Sequence, residues 1–234
     1  GGFRHEELWK PPSGGMFQNP IFGNGHSIDF AEKAPNIVVR VGSMDKKLNG
    51  ALSKDQGVTW KPFAAPMQGW GGQIALSADG KSFVWSPKDS DAVFSNDDGN
   101  TLKKVGGVGE HAKLADWAGV ALKVASDRVN PKKFYAYNAK DGQALVSTDG
   151  GANFSVTYDS LNALPEYEMY LGQITTPFGI EGEIWVATGK EVFRSKDSGK
   201  IFDVVESIDT GSGIAFGKAA PGKTRPTIFL NGKI

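Results

Sequence analysis

Ser53-Lys-Asp55-Gln-Gly57-Val-Thr-Trp60, Ser95-Asn-Asp97-Asp-Gly99-Asn-Thr-Leu102, Ser147-Thr-Asp149-Gly-Gly151-Ala-Asn-Phe154 and Ser195-Lys-Asp197-Ser-Gly199-Lys-Ile-Phe202 are four copies of one pattern. Successive serines lie 42, 52 and 48 residues apart, the period of one four-stranded propeller blade and too long for an array of hairpins. Each copy follows a short apolar run, such as Gly50-Ala51-Leu52 or Ala144-Leu145-Val146, and ends on a residue that can point inward. That is the sequence of two strands joined by a tight turn.

The residue types explain the turn. Asp accepts hydrogen bonds from backbone N–H groups, Gly supplies a positive φ, Ser ties the incoming strand to the loop, and the closing Trp, Leu or Phe packs beneath. The pattern resembles the Asp-box of sialidases, sortilin-type receptors and several polysaccharide hydrolases, a structural hairpin on the blade edge away from the ligand. A calcium loop is a poor alternative, because aligning Gly99 or Gly150 with its invariant glycine puts Phe94 or Leu145 at the first ligand position. No metal or other cofactor is expected.

Lysines plus arginines number 26, as do aspartates plus glutamates, so no net field draws nucleic acid or an anionic membrane surface. A neutral ligand fits better. Runs such as Ile37-Val38-Val39-Arg40-Val41 and Ile184-Trp185-Val186-Ala187-Thr188 outnumber any helical periodicity, which makes the class all-β. No cysteine is present, so disulfides, thiolate metal sites and a cysteine nucleophile are excluded. Gly107-x-Gly109-x-x-Ala112 lacks the βαβ context of a dinucleotide site. Four turns at this period account for about five blades' worth of sequence, expected to belong to a seven-bladed ring and to form one domain, residues 1–234.

Other segments carry a narrower resemblance. Gly1-Gly2-Phe3-Arg4-His5, Met16-Phe17-Gln18-Asn19-Pro20, Ser27-Ile28-Asp29-Phe30-Ala31-Glu32, Gly69-Trp70-Gly71-Gly72-Gln73-Ile74 and Val129-Asn130-Pro131-Lys132-Lys133-Phe134-Tyr135 resemble the second, C-terminal propeller of glycoside hydrolase family 74, the xyloglucan-active endoglucanases. The resemblance implies a secreted, extracellular, monomeric enzyme of two propellers. It cuts the β-1,4-glucan backbone of xyloglucan, or a related β-glucan, with inversion. Its partner surface is the N-terminal propeller of the same polypeptide. Inversion needs two carboxyls roughly 6.5–9.5 Å apart. The family's general acid is the Asp of an Asp-x-Gly-Gly-Phe segment. Gly1-Gly2-Phe3 match its last three positions, which puts the acid two residues before Gly1 and leaves no catalytic residue in the chain. The alternative is a non-catalytic interaction or carbohydrate-binding propeller. A sialidase reading lacks its arginine cluster and Arg-Ile-Pro segment.

Sugars bind through hydroxyl hydrogen bonds and through C–H faces laid on aromatic rings. Trp60, Trp85 and Trp185 belong to turns or strands and are expected in the core, whereas Trp9, Trp70 and Trp117 stand in loop-like surroundings. Trp70 and Trp117 are the candidate stacking platforms, with Tyr167 and Tyr170 as further candidates. Gly2, Phe3, Arg4 and His5, just after the acid position that the resemblance implies, are the candidates to line the site. The loop carboxylates Asp116, Glu166 and Glu168 are placed to contact sugars, although most such acids are simply solvated, while His26 and His111 read as surface or satisfied polar residues.

Overall fold

The computed structural model describes residues 2–43, 50–66, 70–88, 90–109 and 120–234. The chain forms four antiparallel four-stranded meanders and a hairpin. Blade 1 holds β1 (Asn24–Ala31), β2 (Ala34–Ser43), β3 (Gly50–Ser53) and β4 (Lys61–Pro62). Blade 2 holds β5 (Trp70–Leu76), β6 (Phe83–Lys88), β7 (Val93–Ser95) and β8 (Lys103–Lys104). Blade 3 holds β9 (Leu122–Ser126), β10 (Phe134–Asn138), β11 (Gln143–Ser147) and β12 (Ser155–Tyr158). Blade 4 holds β13 (Gln173–Thr175), β14 (Ile184–Ala187), β15 (Val192–Ser195) and β16 (Asp203–Val204), and β17 (Thr210–Gly217) pairs with β18 (Thr227–Lys233) beyond it. The 3₁₀ helix Glu166–Leu171 is the helical element among the described residues.

The sheets stack face to face, and strand periodicity sorts side chains between successive interfaces. On β5, Ile74 and Leu76 join the core shared with blade 1, whereas Ala75 between them joins the core shared with blade 3. On β9 and β10, Leu122, Val124, Phe134 and Ala136 face blade 2, while Ala125, Tyr135 and Tyr137 face Ile174, Ile184 and Val186 of blade 4. Strands buried on both faces read as continuous apolar runs, the pattern that decided the class. Fully buried Phe83 and Phe134 each contribute about 1.5–3 kcal/mol by leaving water.

First strands neighbour first strands around a common axis, and polar ties join them. The Leu76 amide donates to Asp29 Oδ2 at 2.8 Å, Thr176 Oγ1 donates to the Ser126 carbonyl at 2.7 Å, and the Gln173 side chain bonds both ways with the backbone of Ile214 at 2.7 and 3.0 Å. Antiparallel order fixes two ends. First-to-second and third-to-fourth connections leave at one end, which carries all four Ser-x-Asp-x-Gly turns. Second-to-third and blade-to-blade connections leave at the other, the rim end, which carries the 3₁₀ helix.

Candidate functional site

Each turn is an internal hydrogen-bonded knot. Ser53 Oγ accepts the Gly57 amide at 2.8 Å and donates to Asp55 Oδ1 at 2.8 Å. Asp55 in turn accepts the Thr59 amide and hydroxyl at 2.8 and 2.5 Å. Those Thr59 bonds, then that of Ser53, hold the Asp55 carboxyl down to about 2, and the Thr101 amide and hydroxyl do the same for Asp97. The residue before each glycine also has a positive φ: Gln56 at 61°, Asp98 at 61°, Gly150 at 85° and Ser198 at 64°. Two successive left-handed residues make a primed-type β-turn within the connection between the third and fourth strands. All four aspartates are thus engaged by their own turns, three of them through both carboxylate oxygens and Asp197 through Oδ1.

Gly2, Phe3, Arg4 and His5 lie in a segment laid over the outer flank of blade 1. Phe3 bridges Met16, and the Phe17 amide donates to the Gly2 carbonyl at 2.8 Å. Three clefts of about 590, 360 and 490 Å³ border this segment, and blade 1 and residues 2–22 supply all their walls. The anchor is Arg40, 5% exposed, whose guanidinium carbon lies 4.6, 4.7 and 4.4 Å from the rings of Phe17, Phe22 and Trp60. Its NH2 donates to the Pro20 carbonyl at 2.7 Å, and burial brings it down to about 10. No carboxylate among the described residues forms an ion pair with it. The Arg4 guanidinium is taken up by Glu6 at 2.7 Å, and His5 is exposed.

At the rim end, the 3₁₀ helix buries Met169 and exposes Tyr167 and Tyr170, 61% and 62% accessible. Lys190 stands 3.7 Å from Glu168. Trp70 is not in a loop: it opens β5 and pairs with Lys88, because the flanking glycines that suggested a loop instead make a bulge between Trp70 and Gln73. Gly71 and Gly72 have positive φ there, and a Cβ on Gly72 would stand 2.0 Å from the Ser86 carbonyl oxygen. Trp117, Asp116 and His111 lie outside the described residues. Trp60, Trp85 and Trp185 are buried, each indole N–H donating within the fold, and Trp9 is exposed. No residue of the 3₁₀ helix borders these three clefts.

Two residues were missed, Arg40 and Lys123. Lys123 sits on β9 facing blade 4, 2% exposed, with Tyr137 opposite it on β10. Its Cε would touch a Cβ on Gly172 at 3.4 Å, and that Cβ would also meet the Tyr137 ring at 3.2 Å. Burial, then the charge of Lys88, pushes Lys123 down to about 8. The signal available was a lone cation inside an apolar strand, Leu122-Lys123-Val124-Ala125 and Val38-Val39-Arg40-Val41 alike. No cluster of three metal-ligating side chains occurs among the described residues.

No family model matches the chain. It is 34% identical over 255 residues to a xyloglucanase of Paenibacillus sp, covering 100% of this chain and 22% of that protein. It is 35% identical over 240 residues to a xyloglucanase of Acetivibrio thermocellus, covering 100% and 26%. An oligoxyloglucan-reducing end-specific xyloglucanase of Emericella nidulans is 26% identical over 265 residues, 99% and 30%. The chain therefore spans about a quarter of the length of the curated relatives it matches. Among solved structures, the GH74 xyloglucanase from Xanthomonas campestris superposes with a TM-score of 0.75 at 28% identity, over 92% of this chain and 30% of that one. The GH74 enzyme of Niastella koreensis gives 0.74 at 27%, over 90% and 28%.

Proposed function

Because the chain belongs to glycoside hydrolase family 74, we propose that it is part of the C-terminal propeller of a secreted, monomeric, inverting xyloglucan hydrolase. Its rim end, opposite the Ser-x-Asp-x-Gly turns, is one wall of the cleft it shares with the N-terminal propeller. The observation that carries this reading is the similarity to xyloglucanases along the whole chain, rather than the turns, which recur in unrelated propellers.

The chemistry follows from two separated carboxyls, one activating water and one protonating the leaving oxygen. In this reading the acid belongs to the residue two positions before Gly1 and the base to the other propeller. The role left to this chain is support and substrate contact. The segment from Gly2 to Asn19, clamped on blade 1 by Arg40, fixes the backbone that follows the acid. A displacement of about 1 Å at such a support can cost on the order of 100-fold in rate. Tyr167, Tyr170, Trp70 and Trp117 are the proposed contacts to sugar.

The test is hydrolysis of xyloglucan by the full-length protein and by residues 1–234 alone. Activity in the first and none in the second is expected. Turnover by residues 1–234 contradicts the placement of the acid, and an inactive full-length protein contradicts the hydrolase. The second reading, a non-catalytic glycan-binding propeller, is favoured by the exposed tyrosine pair. A residue other than Asp two positions upstream of Gly1 selects it.

A further inference from the structure

The chain from Phe3 to Met16 forms a closed finger on the flank of blade 1. Its base is the antiparallel bridge between Phe3 and Met16, reinforced by the Phe17 amide on the Gly2 carbonyl at 2.8 Å, and the Arg40 cage holds Phe17 to the blade. Its tip is a β-turn in which the Lys10 amide donates to the Glu7 carbonyl at 3.1 Å. Lys10 Nζ meets Glu7 Oε1 at 2.8 Å across the same turn, Arg4 meets Glu6 at 2.7 Å on the outgoing arm, and Pro11-Pro12 stiffens the return. The four charged side chains of the finger are thus paired within it.

The two corner residues of that turn are Leu8 and Trp9, 81% and 88% exposed. Turn corners ordinarily carry glycine, proline or short polar residues, and among the described residues no large hydrophobic is more exposed than Trp9. Neither residue lines any of the three neighbouring clefts, so the pair stands as a convex knob outside the concave surface on which a small ligand would be held. A tryptophan on a pre-formed, braced support is suited to enter a pocket on another protein surface, because it brings a large apolar area and loses little freedom on docking.

We propose that Leu8 and Trp9 anchor this propeller to the N-terminal propeller of the same polypeptide, seated in an apolar pocket on it. The assignment rests on the two-propeller reading and adds a contact that sets the width of the shared cleft. Size and reach select this occupant. The chain covers only 22% and 26% of the xyloglucanases it matches along its whole length, so in proteins of that kind a much larger body lies outside it. From Phe3 to Trp9 the chain can extend at most about 20 Å, whereas an inverting pair of carboxyls, one on each propeller, stands roughly 6.5–9.5 Å apart. A finger rooted beside the acid is long enough to cross that gap and rest on the opposite propeller. Such a strut holds the two walls at the separation on which the chemistry depends.

The experiment is hydroxyl-radical footprinting of the full-length protein, read by mass spectrometry at Trp9, with buried Trp85 and the urea-unfolded protein as the slow and fast references. In the native protein without glycan, Trp9 is expected to react about tenfold more slowly than in urea, close to Trp85. Reaction near the urea rate overturns the anchor. So does shielding that appears only with an added xyloglucan heptasaccharide, which assigns the knob to sugar, or shielding that fades on dilution, which assigns it to a second copy. The double variant Leu8→Ser, Trp9→Ser is expected to speed tryptic cleavage between the propellers about tenfold, with amide exchange in the strands of blades 1 to 4 unchanged. Unchanged cleavage, or faster cleavage with faster strand exchange, overturns the proposal, the latter by assigning the pair to local packing. Xyloglucan hydrolysis by the same samples judges the broader reading separately: an active protein with Trp9 exposed loses the anchor and keeps the hydrolase, and an inactive one with Trp9 shielded keeps the contact and loses the hydrolase.

Discussion

A turn glycine here answers to its neighbour blade as well as to its own φ. Gly151 has φ +96°, and a Cβ on it would stand 2.2 Å from Val84 Cγ2 of blade 2. Gly151→Ala is therefore expected to cost about 2–4 kcal/mol, combining left-handed backbone strain with overpacking. Gln56, at φ 61° on an exposed turn, bears the strain without the contact, and Gln56→Gly is expected to gain about 0.5–1 kcal/mol. Urea denaturation of both variants checks the pair. Lys123 gives a pH signature: its folded value near 8 lies below the ordinary 10.5, so between those two values the unfolded chain holds more protons. Stability should rise with pH across that window, and the rise should vanish in Lys123→Met; Lys88 and Tyr137 are the titratable neighbours that stay in place. The three core tryptophans were legible from strand context. Trp70 was not, because glycines mark bulges as readily as loops. Lys123 and Arg40 were passed over for a related reason: a charge in a strand ordinarily marks the solvent face, so the lone cation inside each apolar run read as exposed.

Elements are joined by packing from one blade onto the blade before it. The turn glycines Gly99, Gly151 and Gly199 lie against Phe63, Val84 and Val146 of their preceding blades. In blade 1 the equivalent Gly57 meets Phe17, so the segment over that flank stands where a preceding blade would pack. The segment has little regular structure of its own, and its attachment is the Arg40 cage. Arg40→Met, which keeps the stem and removes the cation, should release residues 2–22 to limited proteolysis at least tenfold faster while the melting temperature of the sheets changes little. Unchanged cleavage would mean that the rings alone hold the segment. The strands and four turns could be read from the repeat. The cage could not, since it joins positions 17, 22, 40 and 60 through a fold that only the assembled sheet creates.

At the scale of the molecule, the axis is closed at the turn end by a hub. Arg128 of blade 3 donates to Asp29 at 2.8 Å and to the Phe30 carbonyl at 3.0 Å, and lies 5.7 Å from the rings of both Phe30 and Phe178. Those rings, from blades 1 and 4, are 5.8 Å apart. In the proposed reading, the rim end opposite this hub is the approach for the glycan. Acid should loosen the whole assembly through the turns. Asp55 and Asp97 sit near 2, below the ordinary 3.8, and Glu183 is held low because its bonds from Arg194, Arg225 and Trp185 outweigh the burial that raises it. The stability these groups contribute is complete above about pH 5 and is lost as pH falls toward 2, which denaturation midpoints at pH 6, 4 and 3 will register. The central claim, that the rim end meets the glucan while the turn end only holds the ring, is tested most directly by amide hydrogen exchange with and without a xyloglucan oligosaccharide. Slower exchange confined to residues 164–173 and the neighbouring rim connections is predicted. Slower exchange at the Ser-x-Asp-x-Gly turns with the rim unchanged would contradict it.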